Sequence, residues 1–371
     1  PPTAAQLACR SIPGPFPIEA GRWQKCGNDE RDRRLQAPHG PPAIAGLPSD
    51  TPGARVRAMP TPTRRAIAAA ARRIAPHVRR TPLLRLPEGL PGAAGALILK
   101  LELLQATGSF KPRGAFNRLL AAGTLPAAGV IAASGGNHGA AVAYAARALD
   151  MPAEIFIPEL TGAAKRARIE GYGARLVVGG AAYDEARAAS EARAAETGAL
   201  MVHAYDQAEV LEGQGTIGRE LERDAPELSH LLVATGGGGL IGGIAAWYAG
   251  TPVSVISVEP ESCPTLATAL RAGRPVPAPV GGLAADSLGA RQVGALMFAV
   301  AREHVAAAVL VPDAAIRAAQ RLLWEECRLV AEPGGATALA ALVSGAWVPP
   351  PGARVGVVVC GGNCDPGSVL G

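Results

Sequence analysis

The chain has 371 residues, of which 49% are apolar and only 4% aromatic, and it carries a formal net charge of +5. This length predicts two domains or one large one, with a core built from Ala, Val, Leu and Ile. The basic residues are scattered instead of clustered with aromatic residues, which argues against a nucleic-acid-binding protein. No apolar run reaches the length of a membrane span. The six cysteines form no CxxC pair and indicate neither a zinc site nor a disulfide framework, so we expect a cytoplasmic protein.

Residues 1–57 differ in composition from the rest of the chain. They contain ten prolines and six glycines and show no helical or strand period. Such a segment cannot bury enough apolar surface to offset the loss of chain entropy on ordering. We therefore predict a disordered, low-complexity extension over residues 1–57.

From about Pro60 the sequence becomes regular, starting with a helical pattern over residues 64–79 that Thr81–Leu84 interrupts. Short apolar runs then alternate with alanine-rich helical patterns. The apolar runs predict strands at 97–102, 129–133, 153–157, 174–178, 230–234, 253–259, 307–311 and 354–360. The helices between them are predicted to begin near Lys111, Asn137, Gly162, Ala181, Gln207, Gly239, Pro312 and Gly335.

Apolar strands separated by helices predict an α/β protein with a mostly parallel sheet covered by helices on both faces. Residues 129–206 contain about three strand–helix units, enough for a small sheet of their own. We predict that 129–206 is a small inserted domain and that 58–128 and 207–371 together form a large domain.

Lys111 is the first candidate functional residue. Only four of the 36 basic residues are lysines, and a lysine, unlike an arginine, can lose its proton and form a Schiff base. Lys111 follows a predicted strand and opens a predicted helix, at the kind of corner where α/β sheets bind ligands. Taken alone, a lysine at such a place is more often a solvated residue of the first helical turn.

The stretch Ser134–Gly139 also follows a predicted strand and opens a helix. Its glycines would let the backbone approach a ligand closely, and the free N–H groups of a helix start favour an anion. An ordinary strand–helix turn capped by Asn137 is an equally good reading of this stretch by itself.

Four consecutive glycines, Gly236–Gly239, follow the predicted strand 230–234. Such a run costs backbone entropy, and a nest of N–H groups around a phosphate is the physical reason for accepting that cost. Gly237, Gly239 and Gly242 also satisfy G-x-G-x-x-G, with Glu259 following at the spacing of a dinucleotide fingerprint. A Rossmann-type NAD(P) oxidoreductase is therefore an alternative, although this fingerprint usually lies on the first βα turn.

Cys360 ends the last predicted strand, where a parallel strand presents residues to a ligand, although a free cysteine is more often a small buried hydrophobe. Combined, the four motifs supply a lysine amine, an Asn at a helix start, a glycine-rich phosphate loop and a thiol. A flat cofactor with an aldehyde, a phosphate and a ring nitrogen would use all four. That cofactor is pyridoxal 5'-phosphate.

From about Ile67 onward the chain resembles the serine/threonine dehydratase (ammonia-lyase) group of the fold-type II, tryptophan synthase β-like pyridoxal phosphate enzymes. The resemblance covers roughly 300 residues. Its several ordered motifs are far more specific than a single glycine motif. It rests on six stretches in the same order as in that group: Gly108–Ala115, Ser134–Gly139, Gly213–Gly218, Gly236–Gly239, Glu332–Ala336 and Cys360–Asn363.

The resemblance implies a role for each matching residue. Lys111 would form the Schiff base with the cofactor and act as the catalytic base, and Phe110 would lie beside the ring. Asn137 would bond the ring 3′-oxygen, and Cys360 would be the partner of the ring nitrogen. Glu332 belongs to a motif near the cofactor but receives no firm role.

Two further groups of residues match the ligand-binding loops of the same enzymes. The loop that would bind the cofactor phosphate comprises Gly236, Gly237, Gly238, Gly239 and Leu240. The stretch that would receive the substrate carboxylate includes Ser134, Gly135 and His138.

The resemblance implies dehydration and deamination of L-threonine, L-serine or both, by a homo-oligomer (dimer or tetramer) that binds neither nucleic acid nor membrane. A neutral thiol at the ring nitrogen would give a weaker electron sink than a carboxylate, which suits β-elimination. Other reactions on the same scaffold stay open: amino-acid racemisation, hydroxyaspartate dehydration and β-replacement. A cofactor-binding protein without turnover is a further alternative.

Two positions depart from the racemases of this group. Those enzymes have a second serine at the position of Gly135, which delivers a proton to the opposite face of the substrate. They also hold a divalent metal with a Glu and an Asp, and here Glu259 matches the first but Thr265 stands at the second. We therefore expect elimination to exceed racemisation and expect no metal site.

Overall fold

A computed structural model describes residues 61–87 and 96–370. The predicted disordered extension over residues 1–57 lies outside this described part. Within it, ten strands are present in this order: β1 (Leu83–Leu86), β2 (Leu97–Lys100), β3 (Val130–Ala133), β4 (Ala153–Ile157), β5 (Arg175–Val178), β6 (Leu200–Met201), β7 (His230–Ala234), β8 (Ser254–Pro260), β9 (Val305–Val311) and β10 (Val355–Val358).

The same residues form thirteen α-helices, each beginning after a turn or the end of a strand. They are α1 (Arg64–Ile74), α2 (Lys111–Ala121), α3 (Asn137–Ala148), α4 (Ala163–Gly171), α5 (Tyr183–Thr197), α6 (Ala208–Asp224), α7 (Gly239–Tyr248), α8 (Thr265–Ala272), α9 (Ala285–Leu288), α10 (Ala295–His304), α11 (Asp313–Cys327), α12 (Pro333–Val343) and α13 (Gly367–Leu370).

The strands form two sheets, and the α/β architecture is confirmed. A six-stranded sheet has the order β1-β2-β10-β7-β8-β9, and a four-stranded sheet has the order β5-β4-β3-β6. Every pair is parallel except β1 with β2. The smaller sheet is built entirely from residues 130–201, while the division into domains at 129 and 206 stays a prediction.

All eight predicted strands are present, but two short ones were missed. β1 contains the Leu83-Leu84 pair that was taken as an interruption. Pro82 directly precedes this strand, and a proline is tolerated there because β1 lies at the edge of its sheet. β6 has only two residues, too few for a period-2 pattern. Helix α1 ends at Ile74, earlier than predicted, because Pro76 has no backbone N–H with which to continue the helical hydrogen bonds.

Helices α7 and α12 lie at the centre of the large apolar core. Every residue of α7 is buried, which is typical of a helix with no solvent-facing side. The glycines of the Gly213–Gly218 motif allow α6 to cross α7 closely. A Cβ atom at Gly215 would lie 2.7 Å from the carbonyl oxygen of Gly243, so this motif serves helix packing.

A buried group of four charges joins α2 to its neighbours, and we call it the charge cluster: Lys100, Glu102, Arg113 and Glu220. The Arg113 guanidinium donates to both carboxylate oxygens of Glu102 at 2.8 Å, and to Glu220 at 2.7 and 3.0 Å. Lys100 Nζ donates to Glu220 at 2.5 Å. Burial alone would lower the pKa of Arg113, but the two carboxylates outweigh it and raise that pKa.

No helix in the described ranges, 61–87 and 96–370, is long and apolar enough to cross a membrane. The four cysteines within those ranges, Cys263, Cys327, Cys360 and Cys364, are free thiols.

Replacing Arg113 with Leu is expected to destabilise the protein by about 3–5 kcal/mol, because the buried Glu102 would lose its cation and Glu220 would keep only Lys100. The control is Arg175→Leu, which removes an ion pair of the same kind with Glu154 at the surface. That change is expected to cost less than about 1 kcal/mol. Urea unfolding midpoints measure both, and equal shifts would contradict the assigned importance of the charge cluster.

Candidate active site

One cavity of about 930 Å³ brings together every residue predicted to bind cofactor or substrate. It lies at the C-terminal ends of strands β3 and β7 and next to Cys360, which follows β10. Ligands of parallel sheets bind at this end of the strands. The predicted residues that line it are Phe110, Lys111, Ser134, Gly135, Asn137, His138, Gly236, Gly237, Gly238, Gly239, Leu240 and Cys360. The cavity is also lined by Glu332, for which the resemblance implied no firm role.

Lys111 is the first residue of α2, and its position is fixed by the segment that follows β10. Phe110 donates its backbone N–H to the carbonyl of Cys360 at 3.1 Å, and Gly362 donates to the carbonyl of Gly108 at 2.9 Å. Ser109 and Gly361 form an antiparallel bridge between these contacts. The lysine and the thiol are therefore presented side by side from two segments far apart in sequence.

The Lys111 amine is buried, and its Nζ donates to the carbonyl oxygen of Ala204 at 2.9 Å. Burial lowers the pKa of Lys111 to about 8, against the opposing effects of Cys360 and Glu332. An appreciable fraction of this amine is therefore unprotonated near neutral pH, as a nucleophile or general base requires. Its Nζ lies 5.1 Å from the centroid of the Phe110 ring.

The turn that leads into Lys111 contains two consecutive left-handed residues, Thr107 (φ 63°) and Gly108 (φ 73°). Asn363 holds this turn through its side-chain amide, which donates to the Thr107 carbonyl at 2.7 Å. A Cβ atom at Gly108 would collide with the side-chain oxygen of Asn363. Glycine is required here both for its backbone angle and for this close approach.

Asn137, Glu332 and Asn363 form a hydrogen-bonded row along one side of the cavity. Asn363 donates to the side-chain oxygen of Asn137 at 2.7 Å, and Asn137 donates to Glu332 at 2.6 Å. Burial raises the pKa of Glu332 to about 7, although the Asn137 bond opposes the shift. A carboxyl group that titrates near neutrality therefore fixes the orientation of Asn137.

Cys360 is buried, and its Sγ lies 3.4 Å from the carbonyl oxygen of Gly334. Burial raises the pKa of the Cys360 thiol far above its ordinary value, and the nearby Glu332 adds to the shift. The group is therefore a neutral thiol at physiological pH.

The glycine loop Gly236–Gly239 offers the cavity a set of backbone donors. Among the described residues, the N–H groups of Gly236, Gly237 and Gly238 donate to no protein acceptor, and those of the first turn of α7 have no intrahelical partner. The positive end of the α7 dipole adds to their attraction for an anion. Tyr205 packs against Gly237 so closely that a Cβ atom there would clash.

The stretch before α3 has little free space on one side. Ser134 Oγ accepts the N–H of Gly136 at 3.2 Å. A Cβ atom at Gly135 would lie 2.7 Å from both Oγ1 and Cγ2 of Thr161. Thr161, to which no sequence motif pointed, thus fills the space that a side chain at position 135 would need.

His138 lines the cavity, but one ring nitrogen is already in use. Its Nε2 lies 2.9 Å from the carbonyl oxygen of Val202, so this nitrogen carries the proton. Burial and then the charge of Lys111 lower the pKa of His138 to about 3. The imidazole is neutral and is held in one tautomer.

Glu259 has a local structural role. The sequence had matched it to the ribose-binding residue of a dinucleotide fingerprint and to a metal ligand of the racemases. Its buried carboxylate accepts the N–H groups of Leu266 at 2.6 Å and Ala267 at 2.8 Å, and so caps helix α8. It is not free to hold a ribose, contrary to the dinucleotide alternative. Across residues 61–87 and 96–370, no group of three or more His, Cys, Asp or Glu side chains is placed to hold a metal ion.

These features fit a cofactor that carries an aldehyde, a phosphate and a ring nitrogen: a buried amine, free backbone donors and a neutral thiol share one cavity. Comparison with known proteins agrees. Residues 74–361 match the family model described as "Pyridoxal-phosphate dependent enzyme". The chain belongs to this family. Its cofactor is pyridoxal 5'-phosphate, and the predicted fold-type II group is confirmed.

Relatives within the family have different activities. The chain is 38% identical to an L-threonine ammonia-lyase from Geobacter sulfurreducens, over 79% of this chain and 73% of that protein. It is also 38% identical to a phenylserine dehydratase from Ralstonia pickettii, over 81% of this chain and 93% of that protein. The structure of maize serine racemase superposes with a TM-score of 0.77 at 32% identity, covering 84% of this chain and 96% of that one.

Replacing Glu332 with Gln is expected to change how stability depends on pH. Because the folded protein raises the pKa of Glu332 to about 7, the wild type gains stability from its protonated form at low pH. It loses that contribution as the pH rises from about 4.5 through 7, by up to about 3 kcal/mol. Gln keeps the acceptor for Asn137 but cannot ionise.

Thermal unfolding of wild type and E332Q between pH 5 and pH 8 measures this difference. The variant should gain stability relative to the wild type as the pH rises. Parallel curves across that range would show that Glu332 does not titrate with the predicted pKa.

Proposed function

We propose that this enzyme dehydrates and deaminates L-threonine, L-serine or both, releasing a 2-oxo acid and ammonia. The observation that carries the proposal is the pairing of a buried, partly unprotonated Lys111 with the neutral thiol of Cys360 in one cavity. The similarity to an L-threonine ammonia-lyase supports the same reaction class.

Pyridoxal phosphate, when bound, supplies the electron sink that makes the α-proton of an amino acid removable. Lys111 would hold the cofactor through its amine in the resting enzyme. The same Nζ, when it does not hold the cofactor, would remove the α-proton of the substrate as a general base. The lowered pKa of Lys111 suits both tasks, because both need the neutral amine.

The remaining groups would orient the reactants. The free N–H groups of Gly236–Gly238 would bind the phosphate together with the N-terminus of α7. Asn137, oriented by Glu332 and Asn363, would bond the ring oxygen. Ser134 and Gly135, at the N-terminal end of α3, would receive the substrate carboxylate, beside the neutral His138.

Cys360 would act at the ring nitrogen, where it offers a neutral partner. A carboxylate at that place would keep the ring protonated and strengthen the electron sink, whereas a neutral thiol leaves the sink weaker. A weaker sink favours loss of the β-hydroxyl over reactions that require a long-lived carbanion. Elimination is therefore proposed ahead of racemisation. Hydroxyaspartate dehydration and β-replacement also expel a β-substituent, so the strength of the sink does not separate these alternatives from it. A cytoplasmic homo-oligomer remains our prediction for the assembled enzyme.

Replacing Lys111 with Ala is expected to lower 2-oxo acid release from L-threonine and L-serine by at least about 10²-fold, because no positioned base remains. The cofactor should also no longer be trapped on the protein by borohydride. Lys165→Ala is the matched control and should keep the trapped cofactor. Full activity of K111A, with the cofactor trapped on another lysine, would contradict the role of Lys111.

Elimination is expected to exceed racemisation, because Gly135 has no side chain to deliver a proton to the face opposite Lys111. Chiral analysis of residual L-serine beside pyruvate release measures the ratio. D-serine appearing as fast as pyruvate would refute this expectation.

The structure also predicts how a proton donor could be introduced. Gly135→Ser alone places its side chain against Thr161 and should form little D-serine. The double variant G135S/T161A removes that crowding and should form more D-serine than either single variant. Equal D-serine formation by G135S, T161A and the double variant would show that Thr161 does not control access to position 135.

A further inference from the structure

The opening of the cavity carries half of the exposed large apolar side chains of the described residues. The described residues have six large apolar side chains that are exposed to solvent: Leu104, Leu160, Val178, Tyr183, Val280 and Val348. Three of them line this one cavity: Leu160 at 87% exposure, Val280 at 44% and Tyr183 at 38%. Isolated exposed apolar residues are ordinary, but three around one opening indicate a binding surface.

Leu160 stands on a turn whose backbone is fixed. Thr161 donates its N–H to the Pro158 carbonyl at 3.0 Å, and Arg166 donates to the Thr161 carbonyl at 2.7 Å and also to the carbonyl of Glu159. The next residue, Thr161, packs against Gly135 of the proposed carboxylate-binding stretch. Leu160 is therefore held next to the place where the substrate backbone would bind.

Val280 belongs to a second segment that contacts the cofactor loop. Val280 packs against Gly289, because a Cβ atom at Gly289 would lie 2.9 Å from Val280 Cγ1. Leu288, which precedes Gly289, in turn packs against the glycine loop: a Cβ atom at Gly236 would lie 2.7 Å from the Leu288 carbonyl oxygen. Leu160 and Val280 thus reach the cavity from two different segments, one next to the proposed carboxylate-binding stretch and one next to the glycine loop.

The cations around the opening are already paired. Lys165 forms an ion pair with Asp286 at 2.8 Å, Arg291 with Asp184 at 3.5 Å, and Arg187 with Glu191 at 3.7 Å. Apart from Lys111 and the histidines deeper in the cavity, each basic side chain of the described lining therefore has a carboxylate partner. A second carboxylate on the substrate would have to compete with these partners, whereas an apolar group would meet uncovered apolar surface.

We infer that the preferred substrate is a 3-hydroxy amino acid with a bulky apolar group, such as an aryl ring, on its β-carbon. This inference rests on the proposed function and narrows its substrate class. Leu160, Val280 and Tyr183 form the surface that covers this group. The methyl group of threonine offers this surface much less apolar area, and an acidic group would meet cations at the opening that already have carboxylate partners.

The experiment compares kcat/KM of the holoenzyme for L-threo-phenylserine, L-threonine and L-threo-3-hydroxyaspartate by 2-oxo acid release. Phenylserine should exceed threonine by at least about tenfold, the low end of what one apolar contact contributes in a pocket. Hydroxyaspartate should be the poorest of the three. A preference for threonine or hydroxyaspartate would overturn the inference and leave the proposed dehydration standing.

The double variant L160S/V280S tests the surface itself. Both side chains are exposed, so the change should leave folding intact. Its kcat/KM for phenylserine should fall by at least about tenfold, while that for threonine stays within about twofold. The matched control is Val348→Ser, an exposed valine outside the cavity, which should change neither value. An equal loss for both substrates in the double variant would refute a side-chain-specific surface.

A binding measurement separates this inference from the proposed reaction. L-phenylalanine and L-alanine lack the β-hydroxyl that elimination needs, so titration calorimetry on the holoenzyme reports recognition alone. Phenylalanine should bind at least about tenfold more tightly, and L160S/V280S should remove the difference. If phenylalanine binds more tightly as expected but no substrate releases 2-oxo acid, the apolar binding surface is supported and the proposed dehydration is wrong. Equal binding of the two amino acids overturns the surface.

Discussion

The bidentate pair between Arg113 and Glu102 is the interaction on which the geometry of the site depends. Arg113 lies two residues after Lys111 on the first turn of α2, and its guanidinium is buried between Glu102 and Glu220. A buried charge is tolerated only when it is paired and hydrogen-bonded, so this turn has very few alternative positions. The direction in which Lys111 enters the cavity is set by the same constraint.

The charge cluster also explains a second rare lysine. Lys100 is fully buried and donates to Glu220 and to the carbonyl of Thr81, so its role is structural. Scarcity of lysine in the sequence pointed to Lys111 and to Lys100 equally. Only the strand–helix corner and the accompanying motifs distinguished the amine that faces the cavity from the one that holds the core together.

Much of the fold and of the candidate site could be predicted because their signals are local. Continuous apolar runs predicted eight of the ten described strands, and the glycine-rich corners marked the residues that meet in the cavity. Glu332 received no firm role because its contact with Asn137 joins residues 195 positions apart. Thr161 was missed for the same reason, because no pattern in the sequence around it indicates that it packs against Gly135. The Gly213–Gly218 motif matched the family, yet its described contacts serve the packing of α6.

The position of β10 has a consequence for how the molecule is assembled. Although β10 is the last strand, it lies between β2 and β7 and pairs with both. The sheet therefore cannot close during synthesis until nearly all of the described chain has emerged, and contacts of such long sequence separation form slowly. The turn before Lys111 is completed only by residues 360–363, so the newly made polypeptide cannot complete this corner before those residues have been synthesised.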